Sequence, residues 1–222
     1  MIDFHTHILP EMDDGSGSTA ESLALLRLER EQGVEQVVLT PHFYAGQNSP
    51  SEFLTRRQKS WQRLQSELTE GLPRLALGAE VQYFEGICST EDLAKLRIEG
   101  TELLLLEMPF SPWPERVVAD VLTLQQRQGF QVVLAHIERY LTRQPETLWQ
   151  HLREQGVWMQ ANVSFFSRWQ TRRRALRMLE RGEIQLLGSD CHNLKERAPN
   201  WVQLPERARR LAQQIRTQSL ML

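Results

Sequence analysis

Seven short apolar runs, at residues 2–7, 36–40, 75–80, 103–107, 131–136, 158–162 and 184–190, recur at intervals of roughly 26 to 39 residues. Most are apolar at nearly every position, as strands buried on both faces are, and such strands are usually parallel and wrapped by helices. The stretches between them carry helical punctuation. Ser18-Thr19-Ala20-Glu21 reads as a capping box, followed by Leu23, Leu26 and Arg30 and closed by Gly33. Pro50 opens a second stretch with Leu54, Trp61, Leu64 and Leu68 at helical spacing, which Gly71 ends. Pro114 to Gly129 and Pro145 to Gly156 delimit two more, and helices are expected over 170–181 and 205–217. Repeated strand–helix units with right-handed crossovers follow, either as an open doubly wound sheet or as a closed barrel.

The polar residues decide between these. The first run ends in His5 and His7, and the second is followed by His42. The third ends at Glu80, the fourth at Glu107, the fifth at His136, and the seventh at Asp190 with His192 just beyond. Along an open sheet such ends would lie in a line and the outer ones could not meet. In a barrel they converge on the C-terminal rim, where barrel enzymes carry their chemistry. An α/β barrel of about seven parallel strands, in one domain spanning residues 1–222, is therefore expected.

Imidazole nitrogen and carboxylate oxygen suit borderline divalent ions such as zinc, manganese and iron. His5-x-His7 has the period of a strand, so both rings share a face. Five of the six histidines sit at matching strand ends, and only His151 falls on an expected helix. A polynuclear metal site is expected, with a carboxylate such as Glu80 shared between ions, and with it a metal-activated water as nucleophile.

Other classes are disfavoured. The formal charge is −2, so no broad basic field gathers nucleic acid. Apolar runs reach only about four residues, against the roughly twenty that a membrane helix requires. Two cysteines, Cys88 and Cys191, make no disulfide framework, and the start lacks an export pattern, so a cytoplasmic location is expected.

Met1-Ile2-Asp3-Phe4-His5-Thr6-His7-Ile8-Leu9-Pro10 followed by Met12-Asp13-Asp14-Gly15 resembles the opening of PHP-domain (polymerase and histidinol phosphatase) proteins. Ala135-His136-Ile137-Glu138-Arg139-Tyr140 and Ser189-Asp190-Cys191-His192-Asn193-Leu194 resemble, within that superfamily, the bacterial tyrosine-protein phosphatases of capsule and exopolysaccharide synthesis. The resemblance runs from residue 1 to about Arg197. It implies a distorted TIM-like barrel, the PHP fold, with three divalent ions, manganese being the usual activator and zinc, iron or magnesium the alternatives. It implies one ion held by His5, His7, Glu80 and Asp190. A second would share Glu80 and take Glu107 and His136, and a third would be held by Asp14, His42 and His192, with Asp13 competing for the role of Asp14. Arg139 and Arg197 match phosphate-contacting arginines.

The implied reaction is hydrolysis of phosphotyrosine by in-line attack of a metal-bridging hydroxide. The implied partner is the phosphotyrosine tail of a bacterial tyrosine kinase governing polysaccharide export. Histidinol phosphate, or another small phosphate monoester, is the alternative substrate, and a barrel retained only for regulation is a third reading. The chain departs from the pattern where Phe43-Tyr44-Ala45-Gly46 replaces basic residues after His42, and in a shorter C-terminal half.

Four further groups carry weaker expectations. Cys191-x5-Arg197 has the spacing of cysteine phosphatases but no glycine to wrap a phosphate. Asn162, ending the sixth run, reads equally as a residue that bonds a ligand or substrate and as a plain strand-end turn. Arg172-Arg173-Arg174 reads as a solvated helix face. Phe165, Phe166 and Trp169 could line the mouth or pack in the core.

Overall fold

The computed structural model describes residues 1–219, with side chains through Gln213. Its order is β1 (Ile2–Thr6), α1 (Thr19–Glu31), β2 (Gln36–Leu39), β3 (His42–Phe43), α2 (Pro50–Gln65), β4 (Arg74–Leu77), β5 (Glu80–Gln82), β6 (Leu103–Glu107), α3 (Glu115–Arg127), β7 (Gln131–Leu134), α4 (Glu146–Glu154), β8 (Trp158–Asn162), α5 (Val163–Ser167), α6 (Trp169–Glu180), β9 (Leu186–Gly188) and α7 (Glu206–Ser219).

The third expected strand is broken in two, and the second is followed beyond its expected end at Thr40 by a further short strand. Thr40-Pro41 separates β2 from β3, and Gly78-Ala79 separates β4 from β5. The breaks match: β2 pairs with β4, and β3 pairs with β5, where His42 lies opposite Glu80. Pro41 lacks an amide proton, so a ladder cannot run through it unbroken. A β-carbon at Gly78 would stand 3.2 Å from Ile98 and 3.3 Å from Thr40, so the second kink is closely packed on its inner side.

All strand pairs are parallel. They form a three-stranded sheet, β1-β2-β4, and a curled six-stranded sheet, β3-β5-β6-β7-β8-β9. Where β9 ends, the chain meets β1: Asp190 N–H donates to His5 C=O at 2.9 Å, and His7 N–H donates to Cys191 C=O at 2.9 Å.

Burial follows the alternation along each strand. Ile2, Phe4, Val38, Leu103, Leu105, Val133, Ala135 and Leu186 form a small cluster with Ile98 inside the curve of the sheets. Their alternates, such as Val37, Leu39, Leu104, Leu106, Val132 and Leu134, pack outward in the larger core that includes the helices' apolar faces. The helix boundaries agree with the punctuation. Ser49 and Glu52 make a full capping box at α2 with Pro50 in the first turn, and Pro114 and Pro145 precede α3 and α4. At α1 only half of the expected box forms: Ser18 Oγ accepts from Glu21 N–H, while the Glu21 carboxylate turns back to Gly17 N–H. The short α5 was not foreseen, because the five residues it covers follow β8 without a gap.

Candidate metal centre

Glu80 is the hub. It is 1% exposed, and its Oε2 lies 3.0 Å from His5 Nε2, 3.2 Å from His7 Nε2 and 3.0 Å from His42 Nδ1. Its Oε1 lies 2.7 Å from His136 Nε2, which is itself 3.5 Å from Glu107 Oε1. Asp190 Oδ1 stands 3.8 Å from His5 Nε2 and 3.6 Å from His7 Nε2. Asp14 Oδ1 stands 3.6 Å from His42 Nε2 and 3.4 Å from His192 Nε2. All nine residues read from the sequence as ligands thus meet at the strand ends.

Three groups have ligand atoms within 4.8 Å of one another: His5, His7 and Asp190; His42, Glu80 and Glu107; and His7, Asp14, His42 and His192. The first and third reproduce most of the two outer sets implied by resemblance. The middle set differs in that His42 stands with the two glutamates, while His136 reaches them from the other side.

The protein's own bonds hold the rings so that particular nitrogens face the centre. His5 Nδ1 bonds Gln160 Oε1 at 3.1 Å, His7 Nδ1 bonds Asp13 Oδ2 at 2.7 Å, and His192 Nδ1 donates to Asp190 C=O at 3.0 Å. Each leaves Nε2 for the centre, and such an outer partner fixes both tautomer and orientation. His5 and His7 thereby bring their Nε2 atoms within 3.2 Å of each other, close enough for both to reach one ion at about 2.1 Å. Asp13 holds the loop as well, accepting from His42 N–H at 2.8 Å and Gly15 N–H at 3.0 Å.

Two glycines are fixed by proximity to these rings. A β-carbon at Gly15 would lie 2.5 Å from His7 Cβ, and one at Gly188 would lie 2.6 Å from His5 Cβ. His136 and Asp190, just beyond their strands, adopt left-handed backbone with φ of 34° and 56°. Non-glycine residues held there at functional sites cost of order 1–3 kcal/mol each.

Charge in this cluster is self-balanced. Burial opposes a charge on Glu80, but the positive charge of His5, the bond from His136 and the nearby rings of His5 and His7 hold its carboxyl well below the usual range. Burial likewise opposes a proton on His7, yet its bond to Asp13 and the charges of Asp13 and Glu80 push it up to about 10. His136 rises to about 9 against its own burial, through Glu107 and Glu80. His192 is pushed down to about 4 by burial and by the charge on His7.

Divalent cations fit this donor set. His42 Nδ1 and Glu80 Oε2 lie 3.0 Å apart, but neither is aligned in a hydrogen bond, and His192 Nε2 is a third buried atom without a hydrogen-bond partner. A buried polar atom left unpaired costs about 1–3 kcal/mol, which coordination of a cation removes.

Beside the cluster lies a cleft of about 280 Å³ whose lining includes Arg139, Arg168, Arg197, Asn162, Asp190 and Asn200. Arg139 Nη2 bonds Asp190 Oδ2 at 2.6 Å, and Arg197 Nη2 bonds Asp190 Oδ1 at 2.8 Å. Asn162 Nδ2 donates to Asp190 Oδ2 at 2.9 Å, so the sequence's three candidate phosphate or substrate contacts share one carboxylate.

Cys191 is fully buried, and burial together with Glu29 and Asp3 raises its thiol well above the ordinary range, which disfavours a thiolate nucleophile at neutral pH. Phe165 and Phe166 are core residues, whereas Trp169 is 80% exposed. Arg172 caps α5 by donating to Phe166 C=O and Ser167 C=O.

Gln160 and Asp3 were missed by sequence reasoning. Gln160 Oε1 accepts from His136 N–H at 2.7 Å as well as meeting His5, and a glutamine inside an otherwise apolar strand was the available signal. Asp3 ties β1 to β9 by accepting from His5 and Ser189 N–H and from Trp201 Nε1.

Comparison with known proteins agrees with this geometry. The tyrosine-protein phosphatase YwqE of Bacillus subtilis (strain 168) is 33% identical over 208 residues, covering 89% of this chain and 79% of the relative. The tyrosine-protein phosphatase CpsB of Streptococcus pneumoniae is 30% identical over 215 residues, covering 90% and 86%. A crystal structure described as one of YwqE and CpsB, "unique metal-dependent tyrosine phosphatases", superposes with a TM-score of 0.76 at 27% identity, covering 97% of this chain and 92% of the other. With residues 1–221 matched by the family described as "Capsular polysaccharide synthesis, CpsB/CapC", the chain belongs to that family.

Proposed function

We propose that this protein is a metal-dependent protein-tyrosine phosphatase of capsular or exopolysaccharide synthesis. The observation that carries this reading is the convergence of five histidines and four carboxylates around Glu80, beside a cleft with two arginines anchored on Asp190. The tyrosine-phosphatase relatives favour phosphotyrosine over histidinol phosphate as the substrate.

The wall is read as a distorted, TIM-like PHP barrel of about seven strand positions in a single domain. Each broken strand counts once, and the bonds from Asp190 to His5 and from His7 to Cys191 support closure. Three divalent ions, with manganese as the first candidate, would be held as follows: one by His5, His7, Glu80 and Asp190, one by Glu80, Glu107 and His136, and one by Asp14, His42 and His192. Asp14 is preferred to Asp13 because the Asp13 carboxylate is engaged by His7, His42 N–H and Gly15 N–H. Bound ions would supply a hydroxide nucleophile at neutral pH and offset the charge of the phosphate.

The chain's residues do the rest. The guanidinium groups of Arg139 and Arg197, oriented by Asp190, offer planar forks to the equatorial phosphoryl oxygens. Asn162 fixes the rotation of Asp190. Displacement is in line, without a covalent phosphoenzyme, and a tyrosine phenolate leaves with little need of a strong general acid. A bacterial tyrosine kinase bearing a phosphotyrosine tail is the proposed partner, and the cytoplasm the proposed location. No helix among the described residues is long and apolar enough to cross a membrane.

The test is turnover of a phosphotyrosine peptide and of histidinol phosphate in parallel, with manganese, zinc, iron and magnesium. The reading expects the peptide to win with at least one metal and a chelator to abolish activity. Preferential turnover of histidinol phosphate, or activity that survives chelation, refutes it.

A further inference from the structure

The cleft beside the metal cluster has three arginines, and only two of them are accounted for. Arg139 and Arg197 are both engaged with Asp190, and they reach Glu107 and Asp14 respectively. Arg168, at the junction of α5 and α6, lines the same cleft but makes no side-chain hydrogen bond or ion pair among the described residues. Its exposed guanidinium is the positive charge of the cleft that has no partner of its own.

The cleft's carboxylates do not change this. Asp190 is satisfied by the two arginines and Asn162, and Glu138 accepts from Asn162 N–H at 3.3 Å. Glu196 is exposed on the opposite loop and makes no ion pair among the described residues.

At about 280 Å³ the cleft lies at the small end of ligand sites, with room for one side chain and not for a folded partner. A peptide whose phosphotyrosine enters it must run over the rim, where Trp169, next to Arg168, is 80% exposed.

We propose that Arg168 is a specificity-determining residue that pairs with an acidic side chain flanking the phosphotyrosine. The subsite rests on the proposed phosphatase reading and deepens it: the substrate is an acidic phosphotyrosine peptide. An exposed guanidinium that makes no ion pair of its own forms such a pair at small desolvation cost, so its effect falls on discrimination between substrates more than on chemistry.

The experiment uses the full chain with manganese and three substrates: a phosphotyrosine peptide with glutamate on both flanks, the same peptide with glutamine there, and p-nitrophenyl phosphate. The wild type is expected to favour the glutamate peptide about tenfold in kcat/KM, mostly through KM. R168A reduces that ratio to about one, and R168K keeps part of it. Both variants leave p-nitrophenyl phosphate turnover within about twofold of wild type, which also reports correct folding. A wild type indifferent to the flanking charge overturns the proposal, as does R168A that keeps the ratio. Loss of p-nitrophenyl phosphate turnover in R168A, in a chain that still melts like wild type, overturns it too, by making Arg168 a phosphate contact. A wild type that hydrolyses none of the three substrates with any metal refutes the phosphatase reading itself, which is a different failure.

Discussion

Asp13→Asn separates the supporting carboxylate from the ligands it orients. All three partners of Asp13 are donors: His7 Nδ1 at 2.7 Å and His42 N–H at 2.8 Å on Oδ2, and Gly15 N–H at 3.0 Å on Oδ1. Asparagine is nearly the same size but has only one oxygen. In one orientation its amide group faces Gly15 N–H, and in the other it faces both His7 and His42. At least one hydrogen bond to a charged acceptor is lost, worth about 1.5–3 kcal/mol. Losing an outer partner of a metal-binding histidine costs about 10- to 100-fold in affinity, or roughly 1.4–2.7 kcal/mol, which agrees with the bond count. Calorimetric titration of manganese into the chelator-treated protein should show that weakening, with kcat at saturating manganese within a few-fold of wild type. Asp14→Asn is the contrast. The Asp14 side chain is 63% exposed and faces His42 and His192, so its loss should remove one binding event and lower kcat with little change in melting temperature. If Asp13→Asn loses a binding event that excess metal cannot restore, while Asp14→Asn binds normally, the assignment of the two aspartates is reversed.

Further outcomes follow from the same geometry. Gly188→Ala forces a β-carbon to within 2.6 Å of His5 Cβ and 2.9 Å of Gln160 Nε2, so metal affinity and turnover should fall at least tenfold, measured by the same titration and by p-nitrophenyl phosphate hydrolysis. Cys191→Ser should keep most activity, while chelation abolishes it; the reverse in a paired assay would restore the cysteine route. In the metal-free chain, His7 and His136 are raised from 6.5 to about 10 and about 9. Their contribution to stability is therefore complete below about pH 6.5 and is lost as pH rises through 9 and 10. Urea denaturation of the metal-free chain at pH 7 and pH 10 should show that loss. By the same protonation, manganese binding should release protons at pH 7 and tighten as pH rises toward 9, which calorimetry in buffers of different ionisation enthalpy detects.

The strand order and the polar residues that meet around Glu80 were readable because both are written in local patterns. Leu103–Glu107 and Trp158–Asn162 were placed to the residue, since each is a compact run with a polar residue at its end. The breaks at Thr40-Pro41 and Gly78-Ala79 were not read, because a kink shows only when the neighbouring strand kinks at the same level. Phe165, Phe166 and Trp169 illustrate a second limit. Five residues hold three aromatics, and only the packing of α5 reveals that two point inward and one stands in solvent. Gln160 and Asp3 were missed for a third reason. Their value lies in backbone and ring bonds to residues that only the fold brings near, His136 and Ser189 among them.

The left-handed backbone at His136 and Asp190 has an implication for anyone engineering this enzyme. Glycine would relieve the main chain at both positions, so a screen that rewards heat tolerance alone has an incentive to delete two of the candidate metal ligands. Hardier offspring of such a screen should therefore be checked for manganese before their melting curves are celebrated.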